Sequence, residues 1–341
     1  MLYLCQAKIH KMPALPIIAI SIGDPNGIGV EILLKTFQDN SLLEQCIPVV
    51  YANEAFIRKQ QLLFDTQVPL GLMEGAPKQG VLNIVSIWQE TPKAAFGKQT
   101  AKAGVAAFES LQAAATAVQE GKADALVTAP INKAAIKSHD FPFAGHTHYL
   151  GTLWGGNALM LLAHDALRVA LLTDHIPLLK VTTAITVELV KQKTKQLSKT
   201  LENDFGCQMP KIALLGLNPH AGDQGVIGNE DDAVLKPAIA DLKKEGIEIS
   251  GPFAADGFFG QKSYRNFDAV LSCYHDQGLV GFKTLAFGHG VNITTGLPFV
   301  RTSPDHGTAF DIAGKGVASH VSFTAAVQMA CTIYNIRQKK D

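Results

Sequence analysis

Three histidines occupy one kind of place in this chain. The segments "LRVALLTDH" (167–175), "KIALLGLNPH" (211–220) and "DAVLSCYHD" (268–276) are continuous apolar runs that close in polar residues, and His175, His220 and His275 stand at the closing ends. Such a run is what a strand buried on both faces requires. In an open parallel sheet, ligands bind beyond the carboxyl ends of the strands. A single histidine there usually serves as a hydrogen-bonded structural residue. Three at equivalent positions can converge as neutral imidazoles on one divalent transition metal, leaving a position open for substrate. Magnesium would be an unusual occupant of an all-nitrogen set. His164, near the start of a buried run, reads as packing.

A second group is cationic and polar. "PFAGHTHYLG" (142–151) offers His146 and Thr147 in a glycine-flanked loop, and Lys283, Asn292 and Arg301 follow beyond His275. Lysine and arginine beside hydroxyl and amide donors make a phosphate clamp. Lys283 alone would read as solvated surface charge. Arg301 is different, because it directly follows the apolar "LPFV". The stretch "DHGTAFDIAGKG" (305–316) is small, polar and too long for a simple turn, so it reads as a loop that wraps a ligand.

These groups need a scaffold. The opening "SIGDPNGIGVEILLKTF" (21–37) reads as strand, glycine turn, helix. Its spacing of Gly23, Gly27 and Gly29 matches neither the dinucleotide fingerprint nor the phosphate loop, which needs Gly-Lys-Ser/Thr. Short apolar runs, among them "ADALVTAP" (123–130), alternate with amphipathic helices expected over 99–120, 186–204 and 229–245. That alternation argues for a parallel sheet covered by helices. Each of these helices ends at a glycine, Gly121, Gly206 or Gly246, as a left-handed C-terminal cap requires.

At 341 residues the chain favours two domains over one, and its 30 basic and 30 acidic residues cancel. No global field therefore attracts nucleic acid or an anionic membrane, and no uncharged run approaches the roughly 18–20 residues that span a bilayer. Five scattered cysteines without C-x-x-C spacing favour reduced thiols and a cytoplasmic location. Residues 1–11 are left out of the expected fold.

"DHGTAFDIAGKG" resembles the cofactor loop of isocitrate and isopropylmalate dehydrogenases, and "GDPNGIGVE" resembles their opening turn. "PFAGHT", "GLNPHAG", "YHDQG" and "GVNITTGLPFVRTSPDHGTA" narrow this to a resemblance to the 4-hydroxythreonine-4-phosphate dehydrogenase family, running from about Ile17 to the last helix. The resemblance implies an α/β fold of two α/β/α domains with a cleft between them, isopropylmalate dehydrogenase-like. One domain would combine 12–130 with 285–341; the other, 131–284, would carry metal, substrate and dimer contacts.

Carried over by motif, the metal ligands fall on His175, His220 and His275, holding one zinc, cobalt or magnesium ion. The substrate-binding residues fall on His146, Thr147, Asp256, Lys283, Asn292 and Arg301. His306, Gly307, Thr308 and Asp311 would bind NAD or NADP. Asp276 and Lys283 are the candidates for proton transfer. The implied reaction oxidises the C3 hydroxyl of 4-phosphooxy-L-threonine and then loses CO2, giving 3-amino-2-oxopropyl phosphate for vitamin B6 synthesis. It also implies a homodimer with a shared metal site, His275 crossing from the partner. His148 departs from the glutamate that often follows Gly-His-Thr in the family. A dehydrogenase of phosphorylated threonate or erythronate, or a phosphate acyltransferase of the same broad fold, are the alternative readings.

Overall fold

In the computed structural model, residues 15–137, 141–143, 145–165 and 167–340 are described; the leader 1–11 lies outside them. The short apolar runs become strands β1 (Ile17–Ser21), β2 (Ile47–Ala52), β3 (Leu70–Leu72), β4 (Leu82–Ser86), β5 (Ala125–Thr128), β6 (Leu159–His164), β7 (Leu167–Leu171), β8 (Ile212–Leu215), β9 (Ile249–Phe253), β10 (Ala269–Ser272), β11 (Val291–Thr295) and β12 (Val300–Pro304). They join one sheet in the order β3-β4-β2-β1-β5-β12-β11-β6-β7-β10-β8-β9.

Both faces of the sheet are covered. In β1, Ile18 and Ile20 enter one apolar cluster while Ala19, between them, enters another. In β10, Leu271 and Val270 divide the same way. That two-sided burial explains why these strands read as unbroken apolar runs rather than alternating ones.

The expectation of a parallel sheet holds only for the flanks. At the centre β11 runs antiparallel to both β12 and β6, and β6 runs antiparallel to β7. Residues 165–166 alone separate β6 from β7. A parallel connection needs a crossover of roughly a dozen residues, so this link forces a hairpin. His164 ends β6, with Nε2 3.3 Å from Asp165 Oδ2.

The long helices form close to their expected places. Ala101–Gln119 is capped by the Thr100 hydroxyl, which accepts from Ala103 N–H; Val187–Phe205 is capped likewise by Thr186. Gly121, Gly206 and Gly246 adopt φ of +70°, +70° and +84°. The third helix starts differently, with a π-type turn (Asp231–Leu235) leading into Lys236–Lys244. Pro237 has no N–H for the carbonyl of Ala233, so the ordinary ladder cannot run through this point.

Candidate active site

β12 carries Arg301 into the middle of the sheet, opposite Thr294 of β11. Its side chain is 2% exposed. The two terminal nitrogens donate to Thr294 Oγ1 at 3.0 Å and Thr128 Oγ1 at 2.7 Å. Among the described residues Nε has no hydrogen-bond partner and no carboxylate forms an ion pair with this guanidinium. Burial pushes its pKa down to about 9. Burying an uncompensated charge is costly. The arrangement is therefore built for an anion.

Arg301 lines a cavity of about 370 Å³ together with His146, Thr147, Asn292, Lys283, His306 and others. Orphaned buried atoms cluster here: His146 Nε2, Asn292 Oδ1 and His306 Nε2 join Arg301 Nε. Buried polar atoms are normally paired, so several unpaired ones on residues that line a single cavity mark a candidate binding site. Burial holds the His146 imidazole well below its ordinary range, and Arg301 and Lys133 push in the same direction. His146 is neutral and can donate or accept without a proton change. The Thr147 hydroxyl lies 3.2 Å from that of Thr294, which ties the helix His146–Trp154 to β11.

Beyond β7 and β10, which are paired neighbours, the rings of His175 and His275 come within 5.5 Å of each other, and both line this cavity. Two imidazoles sharing a tetrahedral ion, each nitrogen about 2 Å from it, place their centroids roughly 5 Å apart. The pair fits one divalent metal. His275 opens the helix His275–Ala286, and its Nδ1 lies 2.7 Å from Asp276 Oδ1. A carboxylate on one ring nitrogen orients the other toward a metal.

His220 stands apart. It begins a loop in which His220, Ala221, Asp223 and Gln224 all take positive φ, and it is exposed and absent from the cavity lining. Among the described residues no group of three or more His, Cys, Asp or Glu side chains is placed to hold a metal ion within this chain. Asp256, exposed on the helix Ala255–Gly260, is also outside the cavity. Asp276 is 81% exposed and spends its carboxylate on His275. Lys283 does reach the cavity, its Nζ 3.8 Å from Asp305 Oδ1.

The glycine turn and the 305–316 loop meet. Ile28 N–H donates to Thr308 O at 3.1 Å. A Cβ on Gly27 would lie 2.9 Å from Thr308 O, and Gly23, at φ +68°, has no room for one against Pro130 O. Further along, Glu31 Oε1 accepts from Ala318 N–H at 2.7 Å, and Lys35 bonds both Glu31 and the carbonyl of Gly316. The loop is thus held by the first helix while His306 and Gly307 face the cavity. Gly307 has open space above its Cα; Asp311 is exposed and outside the lining. An accessible backbone at Gly307 beside an orphaned imidazole suits a nucleotide cofactor laid along this loop.

A family model described as pyridoxal phosphate biosynthetic protein PdxA matches residues 44–330. The chain belongs to the PdxA family. A 4-hydroxythreonine-4-phosphate dehydrogenase of Bacteroides thetaiotaomicron is 44% identical over 327 residues, covering 95% of this chain and 90% of that one. The crystal structure of the Klebsiella pneumoniae 4-hydroxythreonine-4-phosphate dehydrogenase aligns with a TM-score of 0.82 at 33% identity, over 94% of this chain and 98% of that one. A phosphotransacetylase of Staphylococcus aureus aligns with a TM-score of 0.51 at 15% identity, over 92% and 94% of the two chains, a likeness of fold alone.

Of the residues expected from sequence, the fold gathers His146, Thr147, His175, His275, Lys283, Asn292, Arg301, His306 and Gly307 around one cavity. It adds Lys133, Asp174 and Asp305. A signal for each was present. Lys133 follows the β5 strand end, Asp174 precedes His175, and Asp305 precedes His306 in the loop motif.

Proposed function

We infer that this chain is a 4-hydroxythreonine-4-phosphate dehydrogenase of pyridoxal phosphate biosynthesis. It oxidises the C3 hydroxyl of 4-phosphooxy-L-threonine with NAD(P)+, and the resulting β-keto acid loses CO2 to give 3-amino-2-oxopropyl phosphate. The observation that carries this reading is Arg301: a buried guanidinium with a free Nε, in the cavity that also holds the His175–His275 pair. An anion clamp beside a metal pair suits a phosphorylated substrate oxidised at a hydroxyl group.

Arg301, with Lys283, His146, Thr147 and Asn292, binds the phosphate end and spends that remote binding energy on holding C3 in place. His306, Gly307, Thr308 and Asp311 bind the nicotinamide cofactor. His175 and His275 would hold a divalent ion (zinc, cobalt or magnesium), which would supply Lewis acidity toward the substrate hydroxyl. Asp276 holds the His275 ring.

The enzyme acts as a homodimer, with His220 of the partner subunit completing the metal site. Supporting this, Leu178, Leu179, Val226 and Val280 are exposed apolar residues close in sequence to the three histidines, and exposed apolar patches mark interfaces. Within one chain His175 and His275 already meet, so we assign the crossing ligand to His220 instead of His275. No helix among the described residues is long and apolar enough to cross a membrane. We place the enzyme in the cytoplasm, in keeping with the unpaired Cys46, Cys207, Cys273 and Cys331.

The test is spectrophotometric. The metal-loaded enzyme should form NAD(P)H with 4-phosphooxy-L-threonine and release CO2. Turnover of 4-phosphothreonate or 4-phosphoerythronate in preference to the amino acid would overturn the substrate assignment.

A further inference from the structure

We propose that Asp305 is the group that takes the proton from the C3 hydroxyl of the substrate. The inference rests on the dehydrogenase reading above and supplies the base that reading lacks. Among the described residues two carboxylates line the cavity, Asp174 and Asp305. Asp174 is committed, because its Oδ1 accepts the backbone N–H of His175 at 2.8 Å. Asp276 lies outside the cavity and is bound to the His275 ring.

Asp305 remains. Its side chain is 18% exposed, and its nearest cation, Lys283 Nζ, stands 3.8 Å from Oδ1, beyond hydrogen-bond length. No hydrogen bond occupies the carboxylate among the described residues. The backbone beneath it is fixed: Asp305 N–H donates to Ser322 Oγ at 3.1 Å, and that hydroxyl donates to Gly290 O at 2.6 Å. The carboxyl therefore sits on an anchored strand end and lines the same cavity as Arg301, His175 and His275.

Its surroundings tune it. Burial raises its pKa, while Lys283 and His275 on the helix His275–Ala286, and His306 on its own loop, act to lower it. In the metal-free chain burial wins and holds the carboxyl above its ordinary range. In the step, the O–H bond at C3 breaks and its proton bonds to Asp305. The C3–H bond breaks and its hydride reduces NAD(P)+, and the C3–O double bond forms. The second step consumes one proton, on the carbon that loses CO2, and the proton held by Asp305 balances it.

The experiment compares parent, Asp305→Asn and Asp305→Glu as metal-loaded enzymes. Asp305→Asn keeps the shape and cannot take the proton, so kcat should fall about 10²- to 10⁴-fold. Dissociation constants for NADH and inorganic phosphate should stay within about threefold of the parent, which also shows that the variant folds. The acidic limb of the kcat–pH profile should vanish in Asp305→Asn and persist in Asp305→Glu, which should recover part of the rate. An Asn variant that keeps kcat within about threefold, or a rate loss with the acidic limb unmoved, overturns the proposal. A parent that reduces no NAD(P)+ with any phosphorylated hydroxy acid overturns the functional reading itself, and this role with it.

Discussion

Removing the Arg301 guanidinium should remove phosphate binding without touching the metal pair. Arg301→Met keeps much of the apolar stem and deletes the charge. In the parent, Nε is the one guanidinium nitrogen with no partner among the described residues, since the others donate to Thr294 and Thr128. A hydrogen bond from a charged donor is worth about 1.5–3 kcal/mol, so the variant should bind inorganic phosphate about 10- to 150-fold more weakly. Calorimetric melting reads this directly. At ten times its dissociation constant, phosphate stabilises the folded parent by about 1.4 kcal/mol. For a chain of 341 residues that is a rise in Tm of about 2 °C. At the same concentration the variant should rise by about 0.6 °C or less. Ionic strength is held constant with chloride, so that general screening cannot mimic the effect. Arg301→Lys keeps the charge without the fork and should fall between the two. Equal phosphate-dependent shifts in parent and Arg301→Met would refute the clamp.

Three further outcomes are expected. Mixed dimers of His175→Ala with His220→Ala should regain roughly a quarter of parental activity, because one of two shared sites collects both lesions in about half the dimers. Mixtures of His175→Ala with His275→Ala should regain none, and the reverse pattern would place His275 on the partner. Gly27→Ala pushes a methyl group against Thr308 O, 2.9 Å away, and overpacking costs about 1–3 kcal/mol. NADH affinity should drop about 5- to 150-fold while the phosphate-dependent Tm shift survives; unchanged NADH affinity by calorimetry would detach the loop from the cofactor. His146 has a folded-state pKa well below 6.5, so below about pH 6.5 the unfolded chain binds the extra proton and the folded one does not. Stability should decline as pH falls through that value, by up to about 1.4 kcal/mol per unit. Urea midpoints of His146→Asn that decline as steeply as the parent's between pH 7 and 5 would contradict this.

What the sequence determined by itself was local. Apolar runs closing in histidine identify strands and their ligand-bearing ends, because burial on both faces writes itself into consecutive residues. Glycines at 121, 206 and 246 identify helix ends, because few other residues tolerate a left-handed cap. The nearness of Arg301 to "LPFV" already pointed to a buried cation. Strand order, in contrast, is a product of long-range packing. Only the tertiary structure makes β7 and β10 neighbours, bringing His175 to His275, while His220, at the start of a run of left-handed residues, stays exposed and outside the cavity lining. It also decides which carboxylate faces the cavity. Asp256, Asp276 and Asp305 are alike as letters, yet the first two are exposed outside the cavity and the third is enclosed beside Lys283. That choice depends on where distant segments converge, at the close of β12 against the helix Val321–Gln338. The two-residue link between β6 and β7 shows both levels at once: its shortness is visible in the chain, but the antiparallel centre it forces on the sheet emerges only when β11 pairs alongside.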